Sequence, residues 1–235
     1  MAPIVLLVAI FFSSCTHLFF QPDRFLYAPP EKLNLKYENI FFESPDQVRL
    51  HAWFFPSPVK TKEKKLILLF HGNAQNLSSH YLSVSWMIQY GFDVLVWDYR
   101  GYGLSQGEPE NKGVYLDSLT ALDFATTKFK EGHYKKFFAI GQSLGGNILL
   151  KAISDFPNRW PIDMLTIDSS FASYQSMAKD RLQTVWFFYP FSYLSPLLVS
   201  DNYAPLKNLS NVKTPVLVMH SEHDKVVPSK FGKEI

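Results

Sequence analysis

The sequence predicts an α/β domain built on a mainly parallel sheet. Two observations carry that prediction. Five short, unbroken apolar runs, at 66–70, 94–97, 137–140, 164–167 and 216–219, have the length and continuity of strands buried on both faces. Stretches of helical length and spacing lie between most of them, and a strand–helix alternation of this kind places helices over a parallel sheet. The composition agrees: 235 residues, 47% apolar and 19% charged, suit one large domain and exclude a disordered chain.

The elements follow in order. Residues 1–20 hold no Lys, Arg, Asp or Glu, and the almost purely apolar run 4–12 precedes Ser13, Ser14 and the sole cysteine, Cys15. An apolar core followed by small residues reads as a signal peptide and its cleavage site. The serines before Cys15 resemble a bacterial lipoprotein signal, with cleavage before Cys15 and lipid on its sulfur. An uncleaved membrane anchor is a second reading, since twenty residues is about the length that spans a bilayer, and a buried N-terminal strand or helix is a third. Either of the first two attaches the protein to a membrane outside the cytoplasm. Residues 21–32, with Pro22, Pro29 and Pro30, read as an extended tether. Runs 40–42 and 48–55 flank Ser44-Pro45-Asp46-Gln47, a hairpin signal. Helices are expected over 77–89, 114–129 and 144–154, and an insertion of about 170–211 interrupts the alternation.

Several function classes fall away. A net charge of +2 offers no concentrated basic face for nucleic acid. One cysteine forms no intrachain disulfide and no Cys-based zinc site. No metal or cofactor is implied.

Four motifs follow strands. Gly141-Gln142-Ser143-Leu144-Gly145-Gly146 comes after the 137–140 run and before a helical stretch, the context of a nucleophile elbow with Ser143 as nucleophile. His71-Gly72-Asn73-Ala74 follows the 66–70 run. Its backbone N–H groups, at Asn73 or Ala74, are candidates to join that of Leu144 in an oxyanion hole, where a developing negative charge needs two donors. Asp98-Tyr99-Arg100-Gly101-Tyr102-Gly103 follows the 94–97 run. It reads as structural support, with Asp98 and Arg100 holding each other or backbone. His220 to Pro228 follows the 216–219 run and contains Asp224, 81 residues after Ser143. Serine before acid is the order of the α/β-hydrolase triad, and Asp168, at the end of the preceding strand, is the rival acid.

Together these motifs resemble the α/β-hydrolase superfamily, in the branch of serine-aminopeptidase and monoacylglycerol-lipase-like hydrolases, from about Gln21 to the C-terminus. The resemblance implies a domain over 21–235 with 170–211 as a cap, and an acyl-serine intermediate on a small-molecule acyl substrate. One departure is Gln47, where the family's turn carries Gly after Asp46; a side chain tolerates φ > 0 poorly, so that turn is expected to be altered. The larger departure is the triad histidine, which follows the acid in this fold. No histidine follows Asp224. Of the seven present, His71 and His223 are the weak substitutes. The expectation is a chain cut short of its last strand and helix, with little or no activity, and with 216–219 left as an open sheet edge. The contrasting expectation is a membrane-tethered binding protein that keeps the fold without the reaction. The aromatic-aliphatic stretch from Trp186 to Val199 within the cap reads either as an apolar pocket or membrane-facing lid, or as packing on the domain.

Overall fold

The computed structural model describes residues 19–235, except 185 and 188. The leader reading and its lipidation site Cys15 therefore lie almost wholly outside the described residues. A seven-stranded sheet organises the rest: β1 (Glu38–Glu43), β2 (Arg49–Phe55), β3 (Lys65–Phe70), β4 (Phe92–Asp98), β5 (Lys136–Gln142), β6 (Met164–Asp168) and β7 (Val216–Met219). The order across it is β1-β2-β4-β3-β5-β6-β7. β1 and β2 pair antiparallel, β2 pairs antiparallel with β4, and every other pairing is parallel.

The unbroken apolar runs of β3 and β4 are buried on both faces, as expected, whereas that of β7, expected to be buried in the same way, is exposed along its length. Along β3, Leu66, Leu68 and Phe70 enter one core with Trp97, Phe137 and Leu165, while Ile67 and Leu69 enter a second with Trp53, Phe55 and Val96. Side chains of a strand alternate between faces, so each face needs its own cover. α3 (Asn111–Glu131) and α4 (Leu144–Asp155) cover the first. In α3 the buried residues Val114, Asp117, Ser118, Ala121, Leu122 and Ala125 fall at spacings of three and four, the stripe a core-facing helix presents. Glu110 caps it by accepting the Gly113 N–H at 3.0 Å.

The second face is covered by a broken helix. Residues expected as one helix over 77–89 form α1 (Leu77–His80), α2 (Leu82–Ser85) and a 3-10 turn, Trp86–Tyr90. Local side-chain hydrogen bonds explain the breaks: Ser79 donates to the Asn76 carbonyl, Ser83 to that of His80 and Ser85 to that of Leu82. Such bonds compete with the helical ladder.

The hairpin turn keeps its left-handed residue despite the side chain. Gln47 sits at φ 63, with its N–H bonded to the Ser44 carbonyl at 2.9 Å and the Ser44 N–H to that of Val48 at 3.0 Å. Arg100 holds the turn from below, its guanidinium 2.9 and 3.0 Å from the two oxygens of Asp46. Its other edge grips buried Asp117 of α3 at 2.7 Å. Arg100 thus pairs with Asp46 and Asp117, not with Asp98. The guanidinium, with help from Ser44, draws the Asp46 pKa down to about 2.

Residues 21–28 form a strap, not a loose tether. The Gln21 N–H donates to the side chains of Asn73 and Tyr102 (2.8 and 3.0 Å), the Tyr27 N–H to Ser78 Oγ, and Asn76 Nδ2 to the carbonyls of Asp23 and Phe25. The insertion holds α5 (Tyr174–Thr184), a 3-10 turn at Tyr189–Leu194, α6 (Ser195–Leu198) and a 3-10 turn at Leu206–Asn211. No helix among the described residues is long and apolar enough to cross a membrane.

Candidate active site

The carboxyl ends of β5, β6 and β7 stand in one row, with Gln142 paired to Asp168 and Asp168 to Met219. In an open parallel sheet this end, where strands hand over to loops, is where ligands bind. Ser143 leaves the row first. It has φ 51 and ψ −117, outside the regions that residues with a Cβ ordinarily occupy, and such strain persists only where the surroundings enforce it. They do so here through its backbone: the Ser143 N–H donates to the Asp168 carbonyl at 2.8 Å, and its carbonyl accepts from the Gly146 N–H at 3.0 Å and Ser170 Oγ at 2.7 Å.

The flanking glycines are dictated by contact. A Cβ on Gly141 would lie 2.6 Å from the Gly146 Cα, one on Gly146 would lie 2.6 Å from the Ser170 Cβ, and one on Gly145 would run into the Phe70 and His71 carbonyls. The start of α4 is thereby pressed against the loop after β3. Gly72 of that loop faces Ser143, whose Cβ lies 3.6 Å from the place of a Gly72 Cβ.

Ser143 is half-buried, and among the described residues its hydroxyl has no protein partner. The same holds for the backbone N–H groups of Asn73 and Leu144: neither is taken up by an acceptor in the protein. The side chain of Asn73 is committed elsewhere, accepting from Gln21 N–H and from Tyr102 OH. Ala74 and Gln75 follow at φ 48 and 59, so the chain turns sharply at this point.

Asp224 lies in the loop after β7. Burial favours its neutral form, but the N–H groups of Val227 and Val226, at 2.9 and 2.7 Å from Oδ1, outweigh it and hold the pKa below the ordinary carboxylate value. Asp168, the rival acid, uses its backbone to hold Ser143, while its carboxylate accepts from Ser169 Oγ at 3.1 Å.

The histidines divide by environment. His71 is fully buried, with Nδ1 2.7 Å from the Gly72 carbonyl and Nε2 3.3 Å from Asp98 Oδ1. It serves the interior beneath the loop. Asp98 also receives the Leu77 N–H at 2.7 Å and faces His51 at 3.7 Å. His220 Nε2 is 2.6 Å from the Val227 carbonyl and 3.8 Å from Asp224. His223 is exposed. No imidazole nitrogen among the described residues is hydrogen-bonded to Ser143.

His80 was read from the sequence as part of a helix; its place beside the elbow was not foreseen. Its Nε2 is 3.1 Å from the Ala74 carbonyl and its Nδ1 3.0 Å from Gln142 Oε1, so it bridges the two loops that meet at Ser143. Burial, with the neighbouring His71, pushes its pKa down. The neutral ring donates through Nε2 and accepts at Nδ1 if the Gln142 amide presents its NH₂ there. Asn76 caps α1, the helical turn that ends in His80, by accepting the Ser78 N–H at 2.9 Å.

Among the described residues no group of His, Cys, Asp and Glu is arranged to hold a metal ion.

Known proteins share this arrangement of chain. The uncharacterized protein YfhR of Salmonella typhi is 29% identical over 228 residues, covering 92% of this chain and 73% of its own. The α/β hydrolase domain-containing protein WAV2 of Arabidopsis thaliana is 31% identical, covering 85% of this chain and 65% of its own. A solved Pyrococcus furiosus esterase superposes with a TM-score of 0.68 at 19% identity, over 91% of this chain and 82% of that one. The sequence profile of the family described as serine aminopeptidase, S33, matches residues 61–186, more than half of the chain and a span that contains the strained serine and the loop facing it. The sequence profile thus shows that the chain belongs to the serine aminopeptidase, S33, family of hydrolases in the α/β-hydrolase superfamily, and the fold agrees.

Proposed function

We propose that the protein is a serine hydrolase that cleaves an ester, thioester or amide through an acyl-Ser143 intermediate. The observation that carries this reading is the backbone of Ser143 at φ 51 and ψ −117 between β5 and α4, with an uncommitted hydroxyl. In the proposed reaction Ser143 Oγ attacks the substrate carbonyl, and the oxygen that gains charge is met by the N–H groups of Asn73 and Leu144. Each such donor is worth about 10²–10³ in rate. The α4 N-terminus adds the positive end of its dipole. A base takes the Ser143 proton and gives it to the departing alcohol, thiol or amine as the acyl-serine forms, Asp224 is the acid placed to orient such a base, and water then releases the acyl group as the carboxylic acid.

The base is the open step. His80 spends both ring nitrogens on the protein's own groups, His71 and His220 each spend one on a backbone carbonyl, and no ring is hydrogen-bonded to Ser143; this favours a second reading: a binding protein that keeps the fold and the elbow without turnover. A fluorophosphonate probe separates the two, because it reports the reactivity of the serine itself. Labelling of Ser143 that is lost in Ser143→Ala, together with turnover of a p-nitrophenyl ester, supports the enzyme. Absence of both in a folded chain supports the binding protein. Without the triad base the residual acceleration is only ~10³–10⁴ over water.

For location we propose attachment to a membrane through the N-terminus, on its extracytoplasmic side, by a lipid on Cys15 or by an uncleaved anchor. Cys15→Ser releases the protein from bacterial membranes in the first case. It leaves the membrane fraction unchanged in the second.

A further inference from the structure

The cap turns its polarity inside out. From Leu182 to Ser200 the sequence has no charged residue, and within that stretch it is the serines that are buried: Ser192 is 0% exposed and Ser195 2%, while Trp186 is 85%, Tyr193 63% and Leu197 70% exposed. An ordinary surface segment packs its apolar side inward. The reverse, over a contiguous stretch, marks a surface that meets something apolar.

Three features identify what it meets. The outward residues are Trp, Tyr, Phe and Leu, and Trp and Tyr are the residues that favour the boundary between lipid headgroups and acyl chains. Exposed Lys179 and Arg181 on α5 stand at the edge of this stretch, with the Lys179 ammonium 5.3 Å from the centre of the Tyr193 ring. An aromatic face edged with cations suits an anionic interface. Finally, the segment that follows the apolar leader sequence packs at the base of the same cap. Phe19 packs on Tyr174, at the first turn of α5, and on Phe171, with ring centroids 5.0 and 6.5 Å apart. The eighteen residues before it, apolar in sequence, are joined to the protein at this point.

We infer that the outward face of the cap, centred on Trp186, Tyr193 and Leu197, docks on the surface of a lipid bilayer and seats its aromatic side chains at the headgroup level. The occupant is lipid, not a second copy of the chain and not the chain's own leader. This goes beyond attachment through the N-terminus and does not depend on the reaction assigned to Ser143.

The test uses the full chain carrying Cys15→Ser, so that no lipid is attached, with phosphatidylcholine vesicles that contain brominated acyl chains, with and without phosphatidylglycerol. Bromine quenches tryptophan only on close approach. The expected result is quenching of a component that disappears in Trp186→Phe, and loss of that component in Leu197→Glu. Without lipid, Trp186 is expected to be open to acrylamide in a monomer. Phosphatidylglycerol strengthens binding, and Lys179→Gln weakens it roughly fivefold in those vesicles. Equal quenching in the parent and Trp186→Phe overturns the inference, because only the leader then touches lipid. Trp186 shielded from acrylamide without lipid overturns it too: in a dimer the face belongs to a second copy, and in a monomer to the leader. Ester turnover enters none of these readouts, so failure here and failure of the hydrolase reading are distinguishable.

Discussion

Strands β3 and β7 are written in nearly the same alphabet and live in opposite surroundings. β3 reads Lys-Leu-Ile-Leu-Leu-Phe and β7 Val-Leu-Val-Met. Both pair in parallel. Leu66 to Phe70 are all 0% exposed, whereas Val216, Leu217, Val218 and Met219 are 37–46% exposed. β3 has β4 on one side and β5 on the other, with a core above and a core below. Among the described residues β7 pairs with β6 alone. An apolar run specifies a strand; its neighbours decide whether that strand is buried. The strained serine is mounted on the well-supported side of this divide, directly after β5, and the loop with Asp224 on the poorly supported side.

The contrast can be broken most severely where α4 closes over the end of β3. Gly145→Val places a side chain on the Phe70 and His71 carbonyls, so we expect no soluble folded protein, a penalty well beyond the ~1–3 kcal/mol of ordinary overpacking. Recovery of Gly145→Val in the soluble fraction with a normal thermal transition would show that this junction is loose. Truncation compares the two strands directly. Leu68→Ala should cost about 2–5 kcal/mol by urea unfolding, and Leu217→Ala less than ~1 kcal/mol, because its side chain already meets water. Equal costs would mean that β7 is covered in solution. The smallest effect is titration at the centre. His80 is held below its usual pKa by burial, so the folded state favours the neutral ring. The unfolded chain takes up its proton first, near pH 6.5. Stability is therefore lost as pH falls below about 6.5, and His80→Gln should flatten that slope, read as the shift in urea midpoint between about pH 7.5 and pH 5.5.

The strands were legible in the sequence because an unbroken apolar run of that length has few other uses, and the order of the motifs along the chain gave the sheet its carboxyl-end row. The glycines around Ser143 were legible for the same reason: a Gly-x-Ser-x-Gly after a strand states a steric requirement. Side-chain partnerships were not. Nothing in Asp98-Tyr99-Arg100 tells that the guanidinium reaches 54 residues back to Asp46 and 17 forward to Asp117, because such pairs depend on how distant elements pack. His80 escaped for the same reason. The broken helix over 77–90 could have been read from its four serines, each able to bond its own backbone. The turn at Gln47 shows the reverse error. A side chain at φ 63 is costly, but the hydrogen bonds of Ser44 and the grip of Arg100 on Asp46 offset that cost from outside the turn.

The strap has a mechanical consequence. Residues 21–28 are stitched to Asn73, Tyr102, Asn76 and Ser78 by a series of short hydrogen bonds, and Asn73 and Asn76 belong to the loop that faces Ser143. A pull on the N-terminus therefore loads that loop before it reaches the sheet. Held at its N-terminus and drawn from its C-terminus, the molecule should yield first at these bonds, detaching the strap while β3, β4 and β5 remain paired. A force trace would then show a short early extension ahead of the main rupture, and the peptide turn opposite Ser143 would slacken at loads the rest of the domain still resists.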